Sequence, residues 1–222
     1  MTTGDAFRSI QASWVIPSIS CPGESSPGYN GSAWFGVGLG RSYPQSEQVV
    51  TEAFCTGTVA SYVAYLEVGG VQAAGSAGGL PVRAGDRISA SVSYAGIGRI
   101  RAGPQTYRAA RYHFQLSDQT ERRSFRITDT SDCLRHACDH SSAEVSAGIP
   151  FAGYSPLADY GSVTFSHVTI TDVKGHRGAF SPNKRWQVAK LVELDTSAHA
   201  RAASPSALRR RGTQFSDFWH AY

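Results

Sequence analysis

Gln48, Glu52 and Glu67 are the residues whose types and spacing best suit joint chemistry. All three fall in EQVVTEAFCTGTVASYVAYLE, residues 47–67. The first limb has the period of a strand, so Gln48, Val50 and Glu52 take one side and Val49, Thr51 and Ala53 the other. Cys55-Thr56-Gly57 breaks the run as a turn, and Ala60–Glu67, rich in Tyr and Val, reads as the returning strand. Such a hairpin brings Gln48 within reach of the Tyr65/Glu67 end. Polar groups in a row on a central strand need solvent or partners. This face therefore lines a cleft, carries a hydrogen-bond network, or is a plain wet sheet surface.

Other candidate sets are weaker. Cys133, His136, Cys138 and His140 offer zinc-type donors. Four ligands packed so closely do not close a tetrahedron without distortion, so no metal is expected. Gly36-Val37-Gly38-Leu39-Gly40 has neither the spacing nor the following helix of a dinucleotide loop. No G-x-S-x-G elbow or H-E-x-x-H pair occurs, and no cofactor is expected. The four cysteines leave three readings open: a small Cys133–Cys138 loop, a Cys55–Cys138 tie across the sheets, or free thiols.

The elements that must position these residues are strands. A chain of 222 residues with ten Tyr, ten Phe and 23 Gly, written in short alternating runs, suits one all-β domain over 1–222. Residues 8–20 alternate and end at Pro17, which predicts an edge strand. Tyr112–Ile127 alternates on both sides of Asp118-Gln119-Thr120-Glu121, a hairpin. Arg99–Arg111 is less regular and has no clear assignment, and residues 172–187 include an insertion-like loop. No run approaches the roughly 20 apolar residues of a membrane span. The net charge of +4 is mostly arginine, spaced along strands as a solvated face would be. Neither nucleic acid nor membrane is expected as a partner.

Several motifs together resemble the glutamic peptidases, the eqolisin family. Ala12-Ser13-Trp14-Val15-Ile16-Pro17 is similar to the family's opening A-x-W-x-V-P strand. Ser32–Gly40 resembles its S-x-W-V-G-I-x-G strand. Gln48-Val49-Val50-Thr51-Glu52 and Tyr62–Glu67 resemble the Q-x-G-T/V-D/E and Y-x-A-W-Y-E strands, with Val50 at the family's glycine. Leu80–Val92, Ser142–Pro150, Pro156–Phe165 and the closing segments to Phe215 follow the same pattern.

The resemblance implies an all-β fold, a two-sheet antiparallel β-sandwich of the concanavalin-like jelly-roll kind. It implies that Gln48 is catalytic, that Trp34 and Tyr65 touch substrate, and that Glu52 and Glu67 support the site. The family's second catalytic residue, a glutamate acting as general base, falls on Gly148. An amide cannot take up its proton, so hydrolysis is predicted weak or lost. Glu52, Glu67 and Glu144 are the candidate substitutes, with Glu144 about 13 Å along the strand from Gly148. The expected partner is polypeptide, bound as substrate or ligand on a concave sheet. A non-catalytic module for carbohydrate or protein is the alternative on the same sandwich. Resemblance also suggests an extracellular protein, although MTTGDAFRSIQ has no apolar signal core.

Overall fold

The computed structural model describes residues 2–4, 6–21, 31–40, 47–69, 71–72, 79–132, 140–149, 156–182, 185–195 and 200–220. These form two antiparallel sheets packed face to face, the predicted β-sandwich of the concanavalin-like jelly-roll kind. One sheet contains β1 (Thr2–Gly4), β3 (Ser32–Leu39), β4 (Glu47–Thr56), β5 (Val59–Val68), β6 (Val71–Gln72), β7 (Leu80–Pro81), β11 (Ser142–Gly148) and β14 (Trp186–Val188). Its order is β14-β1-β11-β3-β4-β5-β6, with β7 also on β5. The other contains β2 (Phe7–Val15), β8 (Arg87–Ala102), β9 (Gln105–Asp118), β10 (Arg123–Asp132), β12 (Ser162–Asp172), β13 (Arg177–Gly178), β15 (Glu193–Asp195), β16 (Ala200–Pro205) and β17 (Phe215–Trp219). It runs β10-β9-β8-β2-β12-β17-β16-β15, with β13 beside β12.

Alternation decides which side of each strand is buried between the sheets. Phe35 and Val37 on β3, Val49 on β4 and Leu66 on β5 face Ile10 and Phe165 of the second sheet's core. Burying a side chain of this size contributes about 1.5–3 kcal/mol. The Trp14 indole N–H donates to Thr51 Oγ1 at 3.0 Å, so a buried polar group on each sheet satisfies the other. Gly57, at φ +62°, turns the β4–β5 hairpin where a Cβ would be strained.

Three expectations change. Residues 7–15 form a central strand, since β2 pairs with both β8 and β12. Pro17 lies beyond the strand's end and interrupts no ladder. Arg99–Arg111 is regular after all, because β8 and β9 form one long hairpin with a bulge between Tyr94 and Gly96. Cys55 bonds to Cys21, which rules out the Cys55–Cys138 tie and a free thiol at Cys55. Cys133, His136 and Cys138 lie outside the described residues. His140 stacks on Tyr94 with ring centroids 4.3 Å apart.

Candidate active site

Residues directly opposite in antiparallel strands project to the same face, so the sheet register lays out the site. Glu144, Gly38, Gln48 and Glu67 share one rung across β11, β3, β4 and β5. Two rungs along on that face lie Gly148, Trp34, Glu52 and Val63. This face is the one turned away from the core. Gly36 and Val50 lie between the two rungs. A Cβ on residue 36 would come within 2.6 Å of Val50 Cγ1, so Val50 uses the space its glycine neighbour leaves.

The hairpin brings together the residues its sequence pattern paired. Gln48 Nε2 donates to Glu67 Oε2 at 2.5 Å, and both side chains are buried, each at 4 % exposure. The Tyr65 hydroxyl donates to Glu52 Oε2 at 2.9 Å. Burial pushes the Glu67 carboxyl above the usual range, and the Glu52 charge adds to this against the Gln48 hydrogen bond. Glu52 is raised by burial as well, with the Tyr65 hydrogen bond opposing. Tyr65 is raised by burial and by both carboxylates. Its hydroxyl is thus the partner that offsets part of the burial cost of the Glu52 carboxyl.

Gly148 stands apart from Gln48. Two strands at about 4.8 Å and four residues at about 3.3 Å separate their backbones by roughly 16 Å. Glu144, on the Gln48 rung, is nearer to it. The register of β1 explains why the end of β11 is open: β1 pairs only at Ser142 and Ala143. No described strand covers that edge of Glu144–Gly148. A cavity of about 380 Å³ lies there. Trp34, Ile149, Phe180, Leu208 and Phe215 give it apolar walls, and Glu144, Glu193 and Asp217 bring three carboxyl groups to it.

Glu193 and Asp217 carried no signal in the sequence. Glu193 sits on a three-residue strand far along the chain from Gly148, yet its Oε2 lies 2.9 Å from where a Cβ on residue 148 would be. Trp34 Nε1 is 3.2 Å from the same point. This nitrogen is buried with no hydrogen-bond partner among the described residues. Asp217 accepts a hydrogen bond from the Tyr160 hydroxyl at 2.7 Å, and burial raises its pKa to about 6. Burial raises Glu193 too, reinforced by the charges of Asp217 and Glu144. Glu144 is itself raised by burial, against a hydrogen bond with Ser146. Buried carboxyls with raised pKa values in an apolar cavity suit proton transfer in mild acid. Among the described residues no cluster of three or more His, Cys, Asp or Glu is arranged to hold a metal. None of their helices is long and apolar enough to cross a membrane.

Comparison with known proteins agrees with this architecture. Scytalido-glutamic peptidase, solved with a peptide-based transition state analog, superposes with a TM-score of 0.69 at 17% identity, over 98% of this chain and 95% of that one. SCP-B, a member of the eqolisin family solved with the tripeptide Ala-Ile-His, gives 0.68 at 16%, over 98% and 94%. Aspergilloglutamic peptidase from Aspergillus niger gives 0.56 at 18%, over 86% and 99%. At these identities the likeness shows the fold. A search of curated proteins finds no match. The sequence profile of the peptidase A4 family matches residues 1–204, and the chain belongs to that family.

Proposed function

We propose that residues 1–222 act as one domain that binds extended polypeptide across the outer face of the β4–β5 hairpin and along the open edge of β11. In this reading Gln48 holds the bound chain on the β4 side, Trp34 borders it beside β11, and Gly148 contributes no base. Hydrolysis is then weak. The observation that carries the reading is the open β11 edge beside a largely apolar cavity. An unpaired strand edge takes up an extended peptide through main-chain hydrogen bonds, while neighbouring pockets hold alternate side chains. Family membership supports it, as do the tripeptide and the peptide-based analog bound by two structural neighbours.

The test is binding and cleavage of a fluorescently labelled, denatured polypeptide from about pH 3 to about pH 7, a span that covers ordinary and raised carboxyl pKa values. The chain is compared with Gly148→Glu and with Gly148→Glu combined with Gln48→Ala. Binding by all three is expected. Gly148→Glu should cut faster than the parent by about tenfold or more, and Gln48→Ala, which loosens the far end of the bound chain, should reduce that gain. An unmodified chain that does not bind polypeptide overturns the proposal. Binding of oligosaccharide instead would favour the non-catalytic carbohydrate module.

A further inference from the structure

Position 148 is empty of side chain, but the space beside it is not empty of carboxylate. We propose that Glu193, reaching across from the other sheet, supplies the proton-transfer carboxylate that position 148 lacks, and that the residual peptide hydrolysis of this chain runs through it. The inference rests on the reading that polypeptide occupies the cavity.

The geometry is specific. Glu193 Oε2 lies 2.9 Å from the point where a residue-148 Cβ would sit, and its Cδ 3.7 Å from it. A glutamate grown from 148 would place its own carboxyl carbon only two bonds beyond that Cβ. The two routes, one from β11 and one from β15, therefore deliver a carboxylate to the same small volume. Glycine is what leaves room for the second route, since even a methyl group at 148 would press on Glu193 Oε2. Trp34 Nε1 faces the same volume from β3, 3.2 Å from the Cβ point, as a buried donor with no hydrogen-bond partner among the described residues. A proton acceptor and an unspent donor thus flank one position at the rim of an apolar cavity, which is the arrangement amide hydrolysis requires.

The step balances with water alone. The ionised Glu193 takes a proton from water as the water oxygen bonds to the scissile carbonyl carbon. The carbonyl π electrons move to its oxygen, which accepts a hydrogen bond from Trp34 Nε1–H, and they re-form the carbonyl when the C–N bond breaks. The protonated Glu193 then passes its proton to the amide nitrogen as the C–N bond breaks. A carboxylic acid and an amine leave, one water has been consumed, and Glu193 is ionised again.

Four ionisable groups surround Glu193. Asp217 on β17 and Glu144 on β11 raise its pKa beyond the effect of burial. Tyr160 feels its charge, and Lys190 lines the same cavity. The base-ionisation limb of the pH–rate profile should therefore lie above the ordinary glutamate value of about 4.3.

The experiment measures binding, kcat and the pH profile with the same labelled denatured polypeptide. It uses the unmodified chain, Glu193→Gln, Glu193→Ala, and Glu193→Ala combined with Gly148→Glu, each checked for native circular dichroism. Glu193→Gln is isosteric and should keep polypeptide affinity while losing about a hundredfold or more in kcat, the scale of a general base. The double variant should regain activity through the carboxylate placed at 148, and loss of kcat at unchanged affinity in Glu193→Gln is what a merely structural Glu193 would not show. A chain that binds but never cuts overturns the role of Glu193 and leaves the binding reading intact. Equal cleavage by the chain and Glu193→Gln also overturns it, while keeping a peptidase. Absence of binding sinks the underlying reading itself.

Discussion

The Tyr65 hydroxyl and the Glu52 carboxylate form a pair in which each raises the cost of losing the other. Tyr65→Phe keeps the ring and removes one donor, leaving the half-buried Glu52 Oε2 short of a partner. Loss of such a bond costs about 1–3 kcal/mol, a shift to be read from urea midpoints. The loss should shrink toward acid pH, where Glu52 is protonated and no longer needs the donor as an anion. Gln48 and Glu67 are tied more closely still, and Gln48→Ala removes the hydrogen bond that restrains the burial-raised Glu67. The Glu67 pKa should rise further in that variant, as NMR titration of its carboxyl would report. An unchanged Glu67 titration would mean that the amide is not its principal partner in solution.

At the scale of elements, the disulfide between Cys21 and Cys55 anchors the end of the β2 segment to β4. It closes a loop with a sequence separation of 34, and loop-closure entropy puts its contribution at ~4 kcal/mol. Cys21→Ser with Cys55→Ser should lower the unfolding free energy by about that amount, measured by denaturant titration under non-reducing conditions. The pairing was not legible in the sequence, because four cysteines admit several connectivities and only the sheet register decides which approach. The β4–β5 hairpin was legible down to its faces: period-two alternation and a glycine turn fix which side chains stand beside Gln48, and Glu67 is found opposite it. The central position of β2 was not, since a proline just past a strand reads the same as one that blocks its edge. Glu193 was beyond reach for a related reason. No local pattern tells that a three-residue strand of one sheet bends its side chain into a gap on the other.

Across the whole molecule, buried carboxyls set an unusual dependence on pH. Burial pushes Glu47 up to about 7, with Asp129 adding to this and hydrogen bonds from Ser131 and Gly69 opposing. Asp217 stands at about 6, and Glu52, Glu67, Asp86, Glu144 and Glu193 are raised. A carboxyl raised in the folded state favours folding while it is protonated in both states. That contribution is full below the unfolded pKa and is lost as pH rises through the folded one. For Glu47 the window runs from the ordinary glutamate value of 4.5 to about 7, and its full loss amounts to at most ~3 kcal/mol. Asp172 works in the opposite direction: burial would raise it, but hydrogen bonds from His176 hold it low, so its contribution fades in acid. The raised groups outnumber it. Unfolding midpoints should therefore be higher near pH 5 than near pH 8, and Glu47→Gln should flatten the difference. Equal midpoints would show these carboxyls to be ionised at no cost.

The same buried carboxyls make folding a proton-consuming reaction. Near pH 6 the unfolded chain holds its carboxyls ionised, whereas Glu47 and part of the Asp217 population take up hydrogen ions as the sheets close over them. Refolding in weakly buffered solution should then turn the medium alkaline. Its measured heat should change between buffers of different ionisation enthalpy, in proportion to the protons drawn from them.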